Sequence, residues 1–474
     1  MTNIGEILKI FRLMLIWLVL IFSIVWVVCW LVGIALPAIF TTDNPITNFI
    51  YSIFGHSAGI ENTLRAIAEV CRALTPITAV LVFIPINAMF MVLIERRALA
   101  LFTLRLGPNR VGPDGYLQTA ADAVKLLLKE DITPTGADAF MFTLAPIIFF
   151  APSIFGAIPL LAAATHNHSL FSIMNLPTGI FYVLAASSVP VVGIVMGGWA
   201  SNNKYSLMGG LRSAAQAISY EIPLVLSIVT ICLLAGTLDV VKMAEQQSGG
   251  ILNWNLFGGG ALTGISKMLE ASMTGGDVGA LFNTYYPEGG WSIMMAGILT
   301  ICTIILFGIY LTGACAEINR IPFDLPEAES ELVSGYNTEY SGIKFAIFFL
   351  AEFTNLFIVG TIATVIFLGG GDNPIPLWLL DKVGLTALNA PAAAVLSPLI
   401  NGLHFIDPTT FWAAIWVIFK TYFLIILFAI LVRGTLPRFR IDQLMGFGWK
   451  KLIPLTLTLF LLVVFARGAI HFHV

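Results

Sequence analysis

Nine stretches of about 20 or more mostly apolar residues recur along this chain, near 13–37, 73–94, 141–163, 178–200, 215–236, 293–316, 343–369, 411–432 and 452–470. A helix needs about 20 such residues to cross the hydrocarbon core of a bilayer. The runs are continuously apolar and do not alternate, which argues against a β-barrel. The expected fold class is therefore an all-α membrane protein with about nine transmembrane helices. Composition agrees: 58% of residues are hydrophobic and 11% charged, whereas a soluble domain carries about 25% charged residues. The net charge of −3 comes from 24 basic and 27 acidic residues scattered along the chain, which gives no footprint for a nucleic-acid partner. The first run is too long for a signal-peptide core and lacks a small-x-small cleavage site, so it is expected to stay in the mature protein.

Basic residues set the expected orientation, because Lys and Arg accumulate in short cytoplasmic loops. With the N-terminus inside, 17 of the 24 basic residues fall in inner segments and 6 in outer ones, with Lys420 inside a span. The N-terminus is expected in the cytoplasm and the C-terminus outside. Three outer connections are long. Residues 41–72 end in Glu61, Arg65, Glu69 and Arg72, whose spacing puts them on one face of a solvated helix. Residues 237–292 and 370–410 are rich in Gly, Asn, Ser and Pro and read as irregular external loops without chemistry. His56, His166, His168, His404, His471 and His473 lie in external segments and read as exposed polar residues, not metal ligands. Cys29, Cys71, Cys232, Cys302 and Cys315 form no CxxC pair and read as small apolar packing residues.

The inner segments carry more order. Glu95-Arg96-Arg97 closes the second span, and 107–115 follows as a run of turn formers. In 116–130, Leu117, Ala120, Ala121, Val124, Leu127 and Leu128 form one helical stripe and Asp122, Lys125 and Lys129 the other. This amphipathic helix is suited to the membrane surface. Residue types allow it two roles: a lipid anchor, or the floor of a hydrophobic ligand's route out of the membrane.

Three carboxylates lie within or at the end of spans: Glu221 beside Pro223, Glu317 and Glu352. An ionisable residue at a span's centre costs about 2.5–3.5 kcal/mol on insertion scales. Tyr220-Glu221-Ile222-Pro223 is expected to interrupt its helix. Either the three acids sit neutral in packed interfaces, or they form a proton or charge relay; the relay is the preferred reading. Between the sixth and seventh spans, Glu317, Asp324, Glu327, Glu329, Glu331 and Glu339 gather around Arg320. Pro322, Phe323, Leu325, Pro326, Leu332 and Val333 interleave with them, so a structured acidic loop able to pack against a partner is expected at the cytoplasmic face.

Five blocks carry a resemblance: ERRALALFTLRLGPNRVGPDGYLQTAADAVKLLLKE, ASNNKYSLMGGLRSAAQAISYEIP, AEINRIPFDLPEAESELVSGYNTEYSG, FFLAEFTNLF and LPRFRIDQLM. They closely resemble the quinone-chamber membrane subunit of respiratory complex I, called H in bacteria and subunit 1 in mitochondria. That resemblance implies a subunit without a redox centre, metal or flavin of its own, which encloses the channel for an isoprenoid quinone: ubiquinone, menaquinone or plastoquinone. It implies peripheral-arm partners carrying the terminal iron–sulfur cluster, and antiporter-like and small membrane-arm partners. It implies a bacterial inner membrane as the location. Carried onto this chain, Glu95, Arg96, Arg105, Asp122, Arg320, Asp324, Glu327, Glu329 and Glu331 would line or shape the chamber. Glu221, Glu317 and Glu352 would continue a polar route into the membrane arm. The quinone-chamber domain would span 73–470, with residues 1–72 an additional N-terminal helix and external loop, and 237–292 and 370–410 as insertions. Rival readings are the corresponding subunit of a quinone-independent, hydrogenase-type ion pump, and a self-contained ion-coupled transporter. The transporter predicts similar internal halves, which the sequence does not show.

Overall fold

The computed structural model describes residues 58–164, 176–274, 277–285, 290–325, 334–375 and 408–471, with scattered positions between 12 and 32. Helices dominate: α1 (Ala58–Phe102), α2 (Gln118–Leu128), α3 (Ala139–Ala164), α4 (Gly179–Ser188), α5 (Pro190–Ala200), α6 (Lys204–Ala235), α7 (Val240–Gln246), α8 (Thr263–Thr274), α9 (Val278–Tyr285), α10 (Gly290–Glu317), α11 (Gly342–Phe367) and α12 (Pro408–Leu424). From α12 the chain continues through a π-helical turn, Ile425–Ile430, into α13 (Leu431–Thr435). After α14 (Ile441–Phe447), a second π turn, Gly448–Leu452, leads into α15 (Ile453–His471).

Eight helical segments among the described residues are long and apolar enough to cross a membrane: Asn62–Phe102, Ala139–Ala164, Gly179–Ala200, Lys204–Ala235, Trp291–Glu317, Gly342–Phe367, Ala413–Thr435 and Ile441–Gly468. They coincide with the second to ninth apolar runs, so the chain is an all-α membrane protein. The first run is described only at scattered positions, where Trp17 lies 5.7 Å from Phe90 of α1. The expected solvated helix before the second span is continuous with it, as the N-terminal part of the 45-residue α1.

Helix α6 is the central post, packed by α5, α10 and α15, while α3 packs against α5 and α11. With lipid outside, close contact comes from small residues that let backbones approach. A methyl group at Gly198 would collide with the Ser206 carbonyl oxygen, so α5 and α6 sit together only because no side chain intervenes. Buried Tyr220 donates to the Leu444 carbonyl at 2.8 Å and ties α6 to α14.

Two local expectations are corrected. The Tyr220–Pro223 stretch does not interrupt α6, which runs through Pro223 from Lys204 to Ala235. Pro223 is buried, and neighbouring helices in a membrane tolerate a proline that would break a helix in water. Nor is 237–292 an irregular loop: it holds α7, α8 and α9. Asp239 caps α7 by accepting from the Val241 amide at 3.0 Å. Buried Gln247 and Asn255 donate to the Val365 and Ile366 carbonyls of α11 at 2.9 and 2.8 Å, satisfying acceptors that a helix end leaves open. Of 370–410, residues 376–407 lie outside the described residues. Cys232, Cys302 and Cys315 are free and buried, as apolar packing requires; Cys29 and the histidines at 56, 166, 168, 404 and 473 lie outside the described residues.

Candidate functional site

The site begins at the end of α10. The Asn319 amide donates to the Ala316 carbonyl at 3.3 Å and the Arg320 amide to the Cys315 carbonyl at 3.2 Å. With Asn319 at φ 55°, this is a Schellman cap, in which a left-handed residue just past the helix lets two amides close the last open carbonyls. Asparagine accepts this conformation more readily than most side chains. The cap reverses the chain within three residues, so Glu317 and Arg320 line different cavities.

Arg320 faces a cavity of about 260 Å³ near the C-terminal end of α1. Its Nη1 donates to both oxygens of Glu95, at 2.8 and 3.0 Å. Arg433 of α13 also donates to Glu95. The Arg320 guanidinium lies 4.4 Å from the centre of the Phe353 ring. A carboxylate that is 6% exposed thus has two cationic partners, which such burial requires. The Arg320 Nη2 atom is buried and has no hydrogen-bond partner among the described residues. Beside this cluster, Arg438 donates to Asp324 at 2.9 Å. Helix α13 and the short loop after it therefore supply one arginine to Glu95 and another to Asp324.

Glu317 faces a second cavity deeper in the helical bundle, with Glu221 and Glu352 in its lining. The Ser188 hydroxyl donates to Glu221, and the Tyr336 hydroxyl to Glu352 at 2.8 Å. The Ser153 hydroxyl donates to the Asn355 side-chain oxygen at 2.5 Å, adding further polar atoms to an otherwise apolar wall. Ile318, Asn319 and Glu352 line both cavities. Three carboxylates that lie up to 131 positions apart in sequence, Glu221 to Glu352, are thus gathered around one space. Such an arrangement can hold, share and pass protons.

The remaining candidates fall at the edge. Arg96 lines the first cavity and pairs with Asp122 of α2 at 2.5 Å, fastening the amphipathic helix to α1. Arg97 donates to the Asp114 carbonyl and stands 5.1 Å from the Tyr116 ring centre, holding the turn before α2. Arg105 is exposed beyond the end of α1, outside the lining of either cavity. Glu327, Glu329 and Glu331 lie outside the described residues. Past that gap, Tyr340 stacks on Phe142 at 4.1 Å and donates to the Phe142 carbonyl. Burial raises its phenol well above the ordinary range. No group of three or more His, Cys, Asp or Glu side chains suited to a metal occurs among the described residues.

Sequence reasoning places Arg433 and Arg438 only as topology-setting charges, although the second lies in a block that carries the resemblance. It misses Ser188, Tyr336 and Asn319 as partners of the acidic side chains and their cavities. An arginine near the end of one span and a lone acid at the end of another is a usable signal, because each needs a counter-charge. Neither signal says which pairs meet.

A family model described as NADH dehydrogenase matches residues 75–464. The chain is 40% identical over 389 residues to the H-type subunit of the NADH-quinone oxidoreductase of Phocaeicola vulgatus, covering 81% of this chain and 88% of that protein. It is 38% identical over 385 residues to the H-type subunit of the NADH-quinone oxidoreductase of Dehalococcoides mccartyi, covering 81% of this chain and 83% of the relative. With the match extending across the second to ninth spans and every described site residue, the chain belongs to the NADH dehydrogenase family.

Proposed function

We propose that this chain is the membrane subunit of a proton-pumping NADH:quinone oxidoreductase, forming the quinone-binding chamber and coupling quinone reduction to proton translocation. The observation that carries the reading is the pair of adjoining cavities: one lined by Glu95 and Arg320, the other by Glu221 and Glu317, with Glu352 in the lining of both. The first has the elements of a headgroup site. Its aromatic and aliphatic wall includes Phe349, Phe353 and Val92, and Arg320 in the same lining, whose buried Nη2 has no hydrogen-bond partner among the described residues, would supply a donor to a quinone carbonyl. The second gathers acids that can take up or release charge inside the membrane.

In this reading electrons arrive from an iron–sulfur cluster on peripheral-arm partners. This chain's residues orient the quinone and respond to its change in charge. A reduced, anionic quinone beside Arg320 would compete with Glu95 for the guanidinium and alter the field at Glu352, which lies in the same lining. Glu352, Glu317 and Glu221 would then shift their proton occupancy and pass the change toward antiporter-like partners in the membrane arm. The assembly would sit in a bacterial inner membrane, with the N-terminus in the cytoplasm and the C-terminus outside. The quinone would be ubiquinone, menaquinone or plastoquinone. Residues 73–470 would form the chamber domain, and Glu327, Glu329 and Glu331 would complete its acidic loop.

The reading is tested by photolabelling the assembled complex in native membranes with a photoreactive short-chain quinone, and mapping the labelled peptides. Label on the segments around Glu95, Arg320 and Phe353, displaced by excess unlabelled quinone, is the expected result. Label confined to other polypeptides would refute it.

A further inference from the structure

Three residues separate the two cavities, because Ile318, Asn319 and Glu352 belong to both linings. Ile318 is an apolar wall and passes no proton. Glu352 can change charge. Asn319 can do neither, yet it is held more firmly than a surface amide would be. Its Nδ2 donates to the Ser213 hydroxyl at 3.2 Å, and its Oδ1 accepts from Gln216 Nε2 at 3.1 Å. Gln216 is itself fully buried, and the same Nε2 also lies 2.7 and 2.6 Å from the carbonyl oxygens of Ala316 and Phe323, so its two hydrogens are shared among three acceptors. These are the residues on either side of the Asn319 turn, so one α6 glutamine clamps the end of α10, the side chain at its cap and the start of the following loop.

We propose that Asn319 is a positioning residue that closes the boundary between the two cavities, leaving Glu352 as the ionisable group through which charge crosses. This rests on the quinone-chamber reading. The argument is one of geometry and chemistry. A hydrated gap beside Glu352 would let protons pass between the cavities whatever its charge. An amide with both ends hydrogen-bonded to α6 fills that position without titrating, and the left-handed cap points the chain so that the amide stands between Glu317 and Arg320 in sequence and between their cavities in space.

The test uses the assembled complex carrying Asn319→Gly, which keeps the left-handed turn while removing the side chain, and Asn319→Asp, which keeps its shape. A water-soluble carbodiimide with glycine ethyl ester is applied from the cytoplasmic side, and labelling of Glu317 and Glu221 is read by peptide mass spectrometry. Protons moved per NADH are measured in liposomes. Asn319→Gly is expected to raise Glu317 labelling about fivefold or more and lower the proton ratio while NADH oxidation continues, as removing a desolvating barrier should; Asn319→Asp, which fills the position with a group that titrates, is expected to keep Glu317 protected from labelling and still lower the proton ratio. Labelling and proton ratio equal to the unaltered complex in Asn319→Gly would overturn the proposal, and would leave the quinone-chamber reading standing if photolabelling still falls on this chain. Should Asn319→Gly not assemble, Ser213→Ala, which removes one of the clamping bonds, carries the same expectations.

Discussion

Replacing Arg320 by lysine isolates what the guanidinium does from what its charge does. Arg320 makes two hydrogen bonds to Glu95 and stacks on Phe353 at 4.4 Å, with its side chain 11% exposed and that of Glu95 8% exposed. A lysine keeps the positive charge but ends one atom short of Nη1, so it keeps only one of the two bonds at full strength and loses the guanidinium's contact with the ring. A hydrogen bond to a charged group contributes about 1.5–3 kcal/mol, and a desolvated cation–ring contact about 0.5–2 kcal/mol. Because Arg433 stays on Glu95, part of the loss is offset, and about 2 kcal/mol is the expected net effect. At about 1.4 kcal/mol per decade, kcat/KM for a short-chain quinone should fall about 30-fold. Phe353→Leu removes only the stack and should cost about fivefold by the same conversion. The assay is NADH:quinone reductase activity in membrane vesicles, with NADH:ferricyanide activity as the measure of assembled enzyme. An Arg320→Lys variant within about twofold of the unaltered kcat/KM, or a Phe353→Leu variant more impaired than it, would refute the reasoning.

Asp122→Asn should change the quinone KM by less than about threefold, because its pair with Arg96 is between partly exposed side chains; a tenfold change in steady-state kinetics would assign Asp122 a direct role. Ser188→Ala removes the hydroxyl that donates to Glu221 and should lower the protons moved per NADH in sealed liposomes while leaving ferricyanide reduction unchanged; an unchanged proton ratio would remove Ser188 from the relay. Lys420 donates to the carbonyls of Leu368, Gly370 and Asp372 at 2.7, 3.0 and 2.7 Å and lies 4.4 Å from the Trp254 ring centre. Lys420→Met orphans these three acceptors and should destabilise the C-terminal end of α11 by about 3–5 kcal/mol, read as a lower midpoint of thermal inactivation of the purified complex; an unchanged midpoint contradicts it.

The spans were legible because each is a long apolar run, and length alone identifies a helix that must satisfy its backbone within itself. The partnerships were not. Glu95 meets Arg320 and Arg433 across 225 and 338 positions, and nothing in local spacing links them. The helices within 237–292 are hidden in the sequence because its Gly, Asn and Ser content outweighs a short capped helix; the Asp239 cap before Val240–Gln246 is a usable sign. At Pro223 the local rule lost to packing, since α6 is buried against α5, α10 and α15. The cap at Asn319 was the least visible feature, because its significance comes from the two cavities it stands between.

The central claim, that acids gathered inside the membrane change ionisation when quinone is reduced, is tested most directly by comparing Glu352→Gln with unaltered complex in sealed liposomes, measuring protons moved per NADH oxidised and quinone reductase rate together. The account predicts an assembled enzyme with normal ferricyanide reduction, a quinone-linked rate lower by about tenfold or more, and a reduced proton yield. A normal rate with a normal yield would contradict it.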